Sequence, residues 1–489
     1  MKAIASHPIL SCDETRAFEE KLFGGDEARE WPAMQHAGRA IAAGVRRDFE
    51  EIGGFPAHGR VLVLAGKGHN GGDALIAARA LLEKFPAARA EVLFAFGERL
   101  LRPLAARAWR DLAHAARDRV TLIRAARGAY DLSLDGVFGF QFRPPAEPRL
   151  AQLFAAANAL PIRLRAAVDL PSAGLFRADF TYATGCVKRP LLEDDAVNAG
   201  RVRYLDLRFF RGDEPAADRV LLPSVLAPLA ELRDPRTDKR SYGHAFLVGG
   251  SRHFPGAILM STLAALHSGA GLVTAFVPES LVPAFAARAP EAMWVGWPET
   301  PAGSLALEGE HLLRERIDRA TALVLGPGLS REAETLALAR SIAASSPVPL
   351  LIDADALQAE IVGAGTAPRV LTPHAGEWAR IATTNPAQTT VVHKGPTTRI
   401  ASSRATYHSF FGGPVLARGG SGDLLAGLMG GLLAQTPRDP LLAAARGVVW
   451  HGLAADGLAR ARGQTAVSVT QLLDFLPAAL RDSATCPPI

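Results

Sequence analysis

Short runs of β-branched residues and leucine alternate with longer alanine-rich stretches along this chain, and the alternation comes in two separate series. A strand buried on both faces needs a helix over each, so repeated strand and helix alternation specifies largely parallel sheets in three layers. The first series predicts strands at 61–65, 91–96, 132–137, 166–170 and 202–207, with helices such as 74–84 and 150–159 between them. The second predicts strands at 245–248, 272–277, 323–325, 350–352, 370–371 and 390–393. From 211 to 239 the composition shifts to Pro, Asp and Arg, which suits a connector. The expected fold is therefore α/β, with two three-layer αβα domains at 1–222 and 223–489. A chain of 489 residues exceeds what one core usually supports.

Ligands of such sheets sit at the carboxyl ends of the strands, where the glycine-rich segments of this chain fall. Gly419-Gly420-Ser421-Gly422-Asp423 runs straight into an apolar helical stretch. Glycines let backbone N–H groups converge on an anion, and the start of a helix adds partial positive charge, so the segment is suited to phosphate. A carboxylate there costs repulsion, which points to Asp423 as a base that takes a proton from a hydroxyl as phosphoryl transfer begins. The plainer alternative is an Asp N-cap after a glycine turn.

The first half carries Gly66-Lys67-Gly68-His69-Asn70-Gly71-Gly72-Asp73 between a strand and a helix expected from Ala74. It contains the dinucleotide pattern G-x-G-x-x-G, but a hydride-transfer fold also needs an acidic residue ending the next strand, and Glu91 opens that strand instead. A glycine turn offering amides to a phosphate-bearing ligand, with oxygens from Asn70 and Asp73, accounts for it better. Asp135 and Ser172 also end strands, and with Asn70 they are oxygen donors able to converge on a weakly hydrated cation. Taken singly, each also fits ordinary turn chemistry.

Lys plus Arg outnumber Asp plus Glu by 54 to 49, an excess too small to imply a nucleic-acid partner. Cys12, Cys186 and Cys486 are widely separated and lack metal-ligand spacing, which fits a reducing compartment. Residues 254–278 carry one charge-free run, but His267, Ser268, Gly269 and Gly271 split it into a helix, a turn and a strand, so no membrane partner is expected. The reading is a soluble cytoplasmic protein.

Together these motifs resemble a known pair. The first half is similar to the epimerase domain of the NAD(P)H-hydrate repair enzymes, a Rossmann-like unit, and the second to their ribokinase-like dehydratase domain. In the first half the resemblance rests on the 66–73 loop, Met34 to Ala40, the Asp135-Gly136-Val137-Phe138-Gly139 segment and Asp169-Leu170-Pro171-Ser172. In the second it rests on Gly249-Gly250-Ser251, Gly326-Pro327-Gly328, Asp353-Ala354-Asp355, Thr372-Pro373-His374-Ala375-Gly376-Glu377, Lys394-Gly395 and the Gly-Gly-Ser-Gly-Asp segment. It implies that His69, Asn70, Gly71, Gly72 and Asp73 form one substrate loop, and Gly139, Phe140, Gln141, Phe142, Arg143, Pro144 and Pro145 a second. Asp169 is then the acid/base, and Asn70, Asp135 and Ser172 hold potassium. It further implies that Ala257, Gly328, His374 and Asp423 contact the hydrated nicotinamide nucleotide. Lys394, Gly395, Pro396, Thr397, Thr398 and Gly422 contact the adenine nucleotide, ADP or ATP, which carries magnesium on its phosphates. The implied substrates are NADHX or NADPHX, and domains of this kind often assemble as homo-oligomers.

The chain departs from the family pattern at His69 and Ala74, where the family has Asn and Gly, at Ala173, which separates Ser172 from the glycine that normally follows, and at Gly413 and Arg418, where it more often has Asn and Thr, the latter weighed as a phosphate ligand. The segments 175–180 and 382–389 are also shorter than expected. Two other readings stay open at this point: a ribokinase-like small-molecule kinase, and a first domain that binds without catalysing.

Overall fold

The computed structural model of the chain describes residues 4–143, 145–193, 196–384, 388–403 and 405–485. It divides into two compact units, His7–Ala216 with Ala459–Gln464, and Ala217–Leu458 with Thr465–Thr485 and the first residues of the chain.

In the first unit seven parallel strands lie in the order Val120–Leu122, Arg89–Phe94, Arg60–Ala65, Tyr130–Gly136, Ile162–Val168, Phe180–Thr184 and Arg201–Leu205. Side chains alternate across a strand, so one strand serves two cores. Val61, Val63 and Ala65 pack with Ile41, Leu75 and Ala78 of the helices Glu27–Phe49 and His69–Lys84. Leu62 and Leu64 pack with Leu150 and Phe154 of the helix Pro148–Ala159. The three expected layers follow. After Arg60–Ala65 the chain adds strands first on one side and then, from Tyr130, on the other. Its reversal opens a crevice at the carboxyl ends of these two strands, where Gly66 N–H donates to Gly136 O at 3.0 Å.

In the second unit ten strands lie in the order Met293–Trp297, Leu272–Pro278, His244–Val248, Ala322–Leu325, Leu350–Ile352, Arg369–Leu371, Thr389–His393, Thr398–Ala401, Thr406–Ser409 and Asp218–Leu221. The first seven run parallel, and two antiparallel pairings follow. Here too alternate residues serve opposite layers: Ala245 and Leu247 face one core, Phe246 and Val248 the other. The expected connector at 211–239 is more than a linker. Asp218–Leu221 pairs with Thr406–Ser409, and Val225 and Leu226 enter the core. Apolar pieces that short give no periodicity of their own, and only their tertiary partners show what they are.

Helices Pro255–His267 and Ser421–Gln435 meet almost backbone to backbone. A Cβ on Gly427 would stand 1.9 Å from Ser261 O, and one on Gly431 would stand 2.0 Å from Ser268 Oγ. No side chain larger than hydrogen fits at either point.

Candidate active sites

At the crevice of the first unit lies a cavity of about 460 Å³. Its wall includes His69, Asn70, Gly71 and Asp73 from one expected loop, Gly139, Phe140, Gln141, Phe142, Arg143 and Pro145 from the other, and Asp169. Pro144 lies outside the described residues. Two expectations change. The helix begins at His69 rather than at Ala74, so the loop is its first turn, and Gly72 faces inward, where a Cβ would stand 2.3 Å from Met34 Cε. The glycines at 71 and 72 read as a turn, but they are what allows this helix to approach Gly66 and Met34 closely. His69 pairs through Nε2 with Glu30 at 3.2 Å.

Asp169 is the first residue beyond Ile162–Val168. Its φ is 69°, in the left-handed region, and its N–H donates to Tyr182 O at 2.9 Å. Oδ1 receives the Lys188 ammonium, which also donates to the carbonyls of Thr184 and Cys186, each at 3.1 Å. Both side chains are buried. Burial pushes the Asp169 carboxyl up while Lys188 pulls it down. Burial opposes the Lys188 charge, yet Asp169 and Cys186 raise its affinity for a proton. Asp169 Oδ2 and Asp73 Oδ1 are buried without a hydrogen bond of normal geometry, and burial with the nearby Asp169 charge pushes Asp73 well above the usual carboxylate range. The sequence reading missed Lys188. Its signal was a lysine ending the short apolar stretch Cys186-Val187-Lys188, ahead of Arg189.

Beneath this wall the expected cation ligands come together. Ser172 N–H and Oγ–H donate to the Asp135 carboxylate at 2.8 and 2.6 Å, and Phe138 N–H donates to Ser172 Oγ at 2.8 Å. The Asn70 amide donates to Phe138 O and Val168 O at 3.2 and 3.0 Å. Asp135 is fully buried, and that burial pushes its carboxyl up to about 6 against the pull of its Ser172 and Val137 donors. Ala173 adopts φ 57° and ψ 13°. An L side chain in that region costs about 1 kcal/mol. Ala173→Gly is expected to raise stability by about that much, read as a higher urea midpoint at unchanged slope.

In the second unit the segments after the strands Leu350–Ile352, Arg369–Leu371 and Thr389–His393 gather around the start of helix Ser421–Gln435. Gly420, at φ 92°, precedes the helix, and Asp423 sits in its first turn rather than at the N-cap. Ser261 Oγ–H donates to Asp423 O at 2.8 Å. Burial, then the Asp353 charge, push the Asp423 carboxyl up to about 6. Lys394 Nζ donates to Asp353 Oδ1 at 2.9 Å and lies 3.8 Å from Glu377 Oε2, and Thr372 Oγ1–H donates to Asp353 Oδ1 at 2.6 Å. Burial opposes the Lys394 charge, but Asp353 and Glu377 outweigh it and raise its proton affinity. A Cβ on Gly422 would stand 3.4 Å from Lys394 Nζ, and one on Gly328 would stand 3.0 Å from Ala257 Cβ, so these expected contacts are neighbours in pairs. Gly395 and Pro396 are exposed in the turn that leads through Thr397 to the strand Thr398–Ala401.

His374 caps the helix Ala375–Ile381. Its Nδ1 accepts from Gly376 and Glu377 N–H at 3.0 and 3.3 Å, which leaves Nε2 3.4 Å from Glu377 Oε1. Arg418, weighed as a phosphate ligand, ties the segment before helix Ser421–Gln435 to residues 465 and 467. Its guanidinium donates to Val467 O and Thr465 O at 3.0 and 2.7 Å. Part of the shortened segment, residues 385–387, lies outside the described residues.

Family profiles match both units: one described as YjeF-related protein N-terminus over residues 32–189, and one described as NAD(P)H-hydrate dehydratase over 245–478. The bifunctional NAD(P)H-hydrate repair enzyme of Moorella thermoacetica is 34% identical over 92% of this chain and 92% of its own length. The chain belongs to the bifunctional NAD(P)H-hydrate repair enzymes. The repair enzyme of Gloeobacter violaceus is 36% identical over 94% of this chain and 95% of its own. Among solved structures, the ADP/ATP-dependent NAD(P)H-hydrate dehydratase of Bacillus subtilis, co-crystallized with ATP/Mg2+, is 28% identical, with a TM-score of 0.44 over 52% of this chain and 94% of that one. For this repair-enzyme chain the 32–189 match takes in the cavity wall from Lys67 to Lys188 and leaves Glu19 ahead of it. The 245–478 match takes in every residue gathered around Asp423. Among the described residues no helix is long and apolar enough to cross a membrane.

Proposed function

We propose that the second unit dehydrates the S form of NAD(P)H hydrate at the expense of ADP or ATP, and that the first interconverts the S and R forms. The observation that carries this reading is Asp423 in the first turn of a glycine-led helix, facing the Lys394–Asp353 pair. Hydroxide leaves poorly at neutral pH, so the ring hydroxyl is first phosphorylated. Asp423 accepts the hydroxyl proton, while the amides of 419–422 and Lys394 stabilise charge on the transferring group. Phosphate then leaves as the ring nitrogen supplies electrons, and the resulting ring cation loses a proton from the neighbouring carbon to water or the departing phosphate, which restores the dihydropyridine; with ADP the products include AMP. Gly328 and Ala257, side by side, are assigned to the nicotinamide together with His374, at the end of the strand Arg369–Leu371. Magnesium would neutralise the nucleotide phosphates; the nearby carboxylates of Asp353 and Glu377 are shared with Lys394, so phosphate and water would supply most of its ligands.

In the first unit the Asp169 carboxylate, held by Lys188, exchanges the proton of the water that adds to the hydrated carbon. Asn70, Asp135 and Ser172 fit potassium: one fully buried carboxylate whose hydrogen-bond donors named above are neutral suits a single positive charge better than a divalent ion. Potassium there would offset that charge and brace the two substrate loops. A stereospecific dehydratase strands one epimer, and a fused epimerase returns it. We place the enzyme in the cytoplasm, assembled as a homo-oligomer whose size light scattering reads directly. The test of the central reading is to incubate the chain with NADPHX and ADP or ATP. Recovery of reduced-cofactor absorbance is expected. No recovery, with a phosphorylated alcohol accumulating instead, would select the small-molecule kinase.

A further inference from the structure

The cavity of the first unit holds a carboxyl that neither substrate loop supplies. Glu19, on the helix Cys12–Phe23, lines the same wall as Asp169, Lys188 and Asp73. We propose that Glu19 is a second proton-transferring residue of this cavity, which works with Asp169 on the two faces of the hydrated ring. This rests on the epimerase reading above.

The chemistry requires two such groups. A carbon whose configuration inverts loses its hydroxyl from one face and regains it on the other, and a single carboxyl reaches one face only. Asp169 is further restricted, because Oδ1 is committed to Lys188 and the backbone of Phe140 and Thr184 also bonds the carboxylate. In the step we assign, the Glu19 carboxyl gives its proton to the ring hydroxyl as the C–O bond breaks and water leaves. The lone pair of the ring nitrogen forms the C=N bond, so the ring becomes a cation beside the new Glu19 carboxylate. Water adds to the opposite face, its proton passes to Asp169, and exchange with solvent resets both carboxyls. No oxidant or nucleotide is needed, and the reverse reaction uses the same two groups with their roles exchanged.

Glu19 suits the donor role better than Asp73. Asp73 lines the same wall but is buried near the start of its helix, whereas Glu19 is only partly buried. The charged groups that act on Glu19 come from four elements: Lys188 on the strand Val187–Lys188, Asp169 after Ile162–Val168, Glu30 on Glu27–Phe49, and Asp73 on His69–Lys84. Burial pushes the Glu19 carboxyl up to about 7, with Lys188 opposing and Asp169 and Glu30 adding to it, so both protonation states are populated near neutral pH.

The experiment uses the full chain and separated R- and S-NADHX without nucleotide, so that only interconversion is followed, by chromatography from about pH 5.5 to 8.5. Glu19→Gln is expected to lower kcat for interconversion about 100-fold with KM within about threefold, and to erase the change of rate near neutral pH. Glu19→Asp is expected to recover most of the rate, and nucleotide-driven dehydration of S-NADHX by Glu19→Gln is expected to match wild type. Interconversion by Glu19→Gln within about threefold of wild type, with the same pH profile, overturns the proposal. So does loss of the neutral-pH limb in Asp73→Asn alone, which would make Asp73 the second group. A wild-type chain no faster than the uncatalysed rate overturns the epimerase reading itself, and the inference with it.

Discussion

Asp423→Asn is expected to give a folded protein that dehydrates NAD(P)H hydrate roughly a thousandfold more slowly than wild type. The substitution keeps the size of the side chain and removes only its basicity. The helix it starts is held elsewhere, by Leu424, Leu425, Leu428 and Leu432 in the core and by the Ser261 bond to the backbone of residue 423. Folding is therefore expected to survive while proton acceptance is lost. The wild-type enzyme should show the same dependence through pH. With its carboxyl near 6, Asp423 is mostly ionised at pH 7 and becomes protonated as pH falls through that value, so the dehydration rate should drop on the acid side of about 6. Stopped-flow absorbance under single-turnover conditions reads the step itself. A variant rate within about threefold of wild type would remove Asp423 from the chemistry.

The second large effect is structural. Lys188→Met is expected to cost roughly 3–5 kcal/mol of stability in the first unit at neutral pH, because it leaves the Asp169 carboxylate buried without its counter-charge. The side chains are 2% and 4% exposed, so water does not compensate. The pH dependence gives the signature. Without Lys188 the upward push of burial is opposed only by the backbone hydrogen bonds from Phe140 and Thr184, so the folded-state pKa of Asp169 lies further above its unfolded value of about 3.9 than in the wild type. A carboxyl raised on folding contributes its full stability below the unfolded value and loses it as pH rises through the folded one. The deficit against wild type should therefore be smallest near pH 4 and grow toward neutrality, read from urea unfolding of the two proteins at each pH. A deficit that does not change with pH would mean that Lys188 acts by packing alone.

Much of this was legible in the sequence, for reasons that differ by element. The buried parallel strands declared themselves because both faces are apolar: 350–352 was read at its observed bounds, and 245–248 and 323–325 start one residue late. The hairpin Thr398–Ala401 with Thr406–Ser409, and the strand Asp218–Leu221, were not, since their polar alternation is indistinguishable from loop until a neighbour is in place. The helix start at His69 was placed five residues late because glycine is a poor helix former, a rule overridden here by close contact with Gly66 and Met34. At the sites, the glycine-led motif pointed to Asp423 and the family resemblance to Asp169, but neither pointed to the roles of Lys188, Asp353 or Glu19, which arise from elements far apart in sequence. A charge that closes an apolar strand and a carboxyl on an amphipathic helix look ordinary until the fold puts them beside another charge.

The glycine contacts of helix Ser421–Gln435 bear on how this enzyme tolerates change. Where side chains mediate a helix contact, a lost or added methyl is absorbed by a neighbour that shifts its rotamer; at Gly427, with the Ser261 carbonyl 1.9 Å from any Cβ, nothing soft stands between the two main chains. An alanine at 427 would have to displace the whole rod, and the amides and carboxylate at its leading end would travel with it. Positions one turn or more from the chemistry thus inherit the tolerance of the chemistry itself, and drift at 427 and 431 should be as constrained as drift at 423.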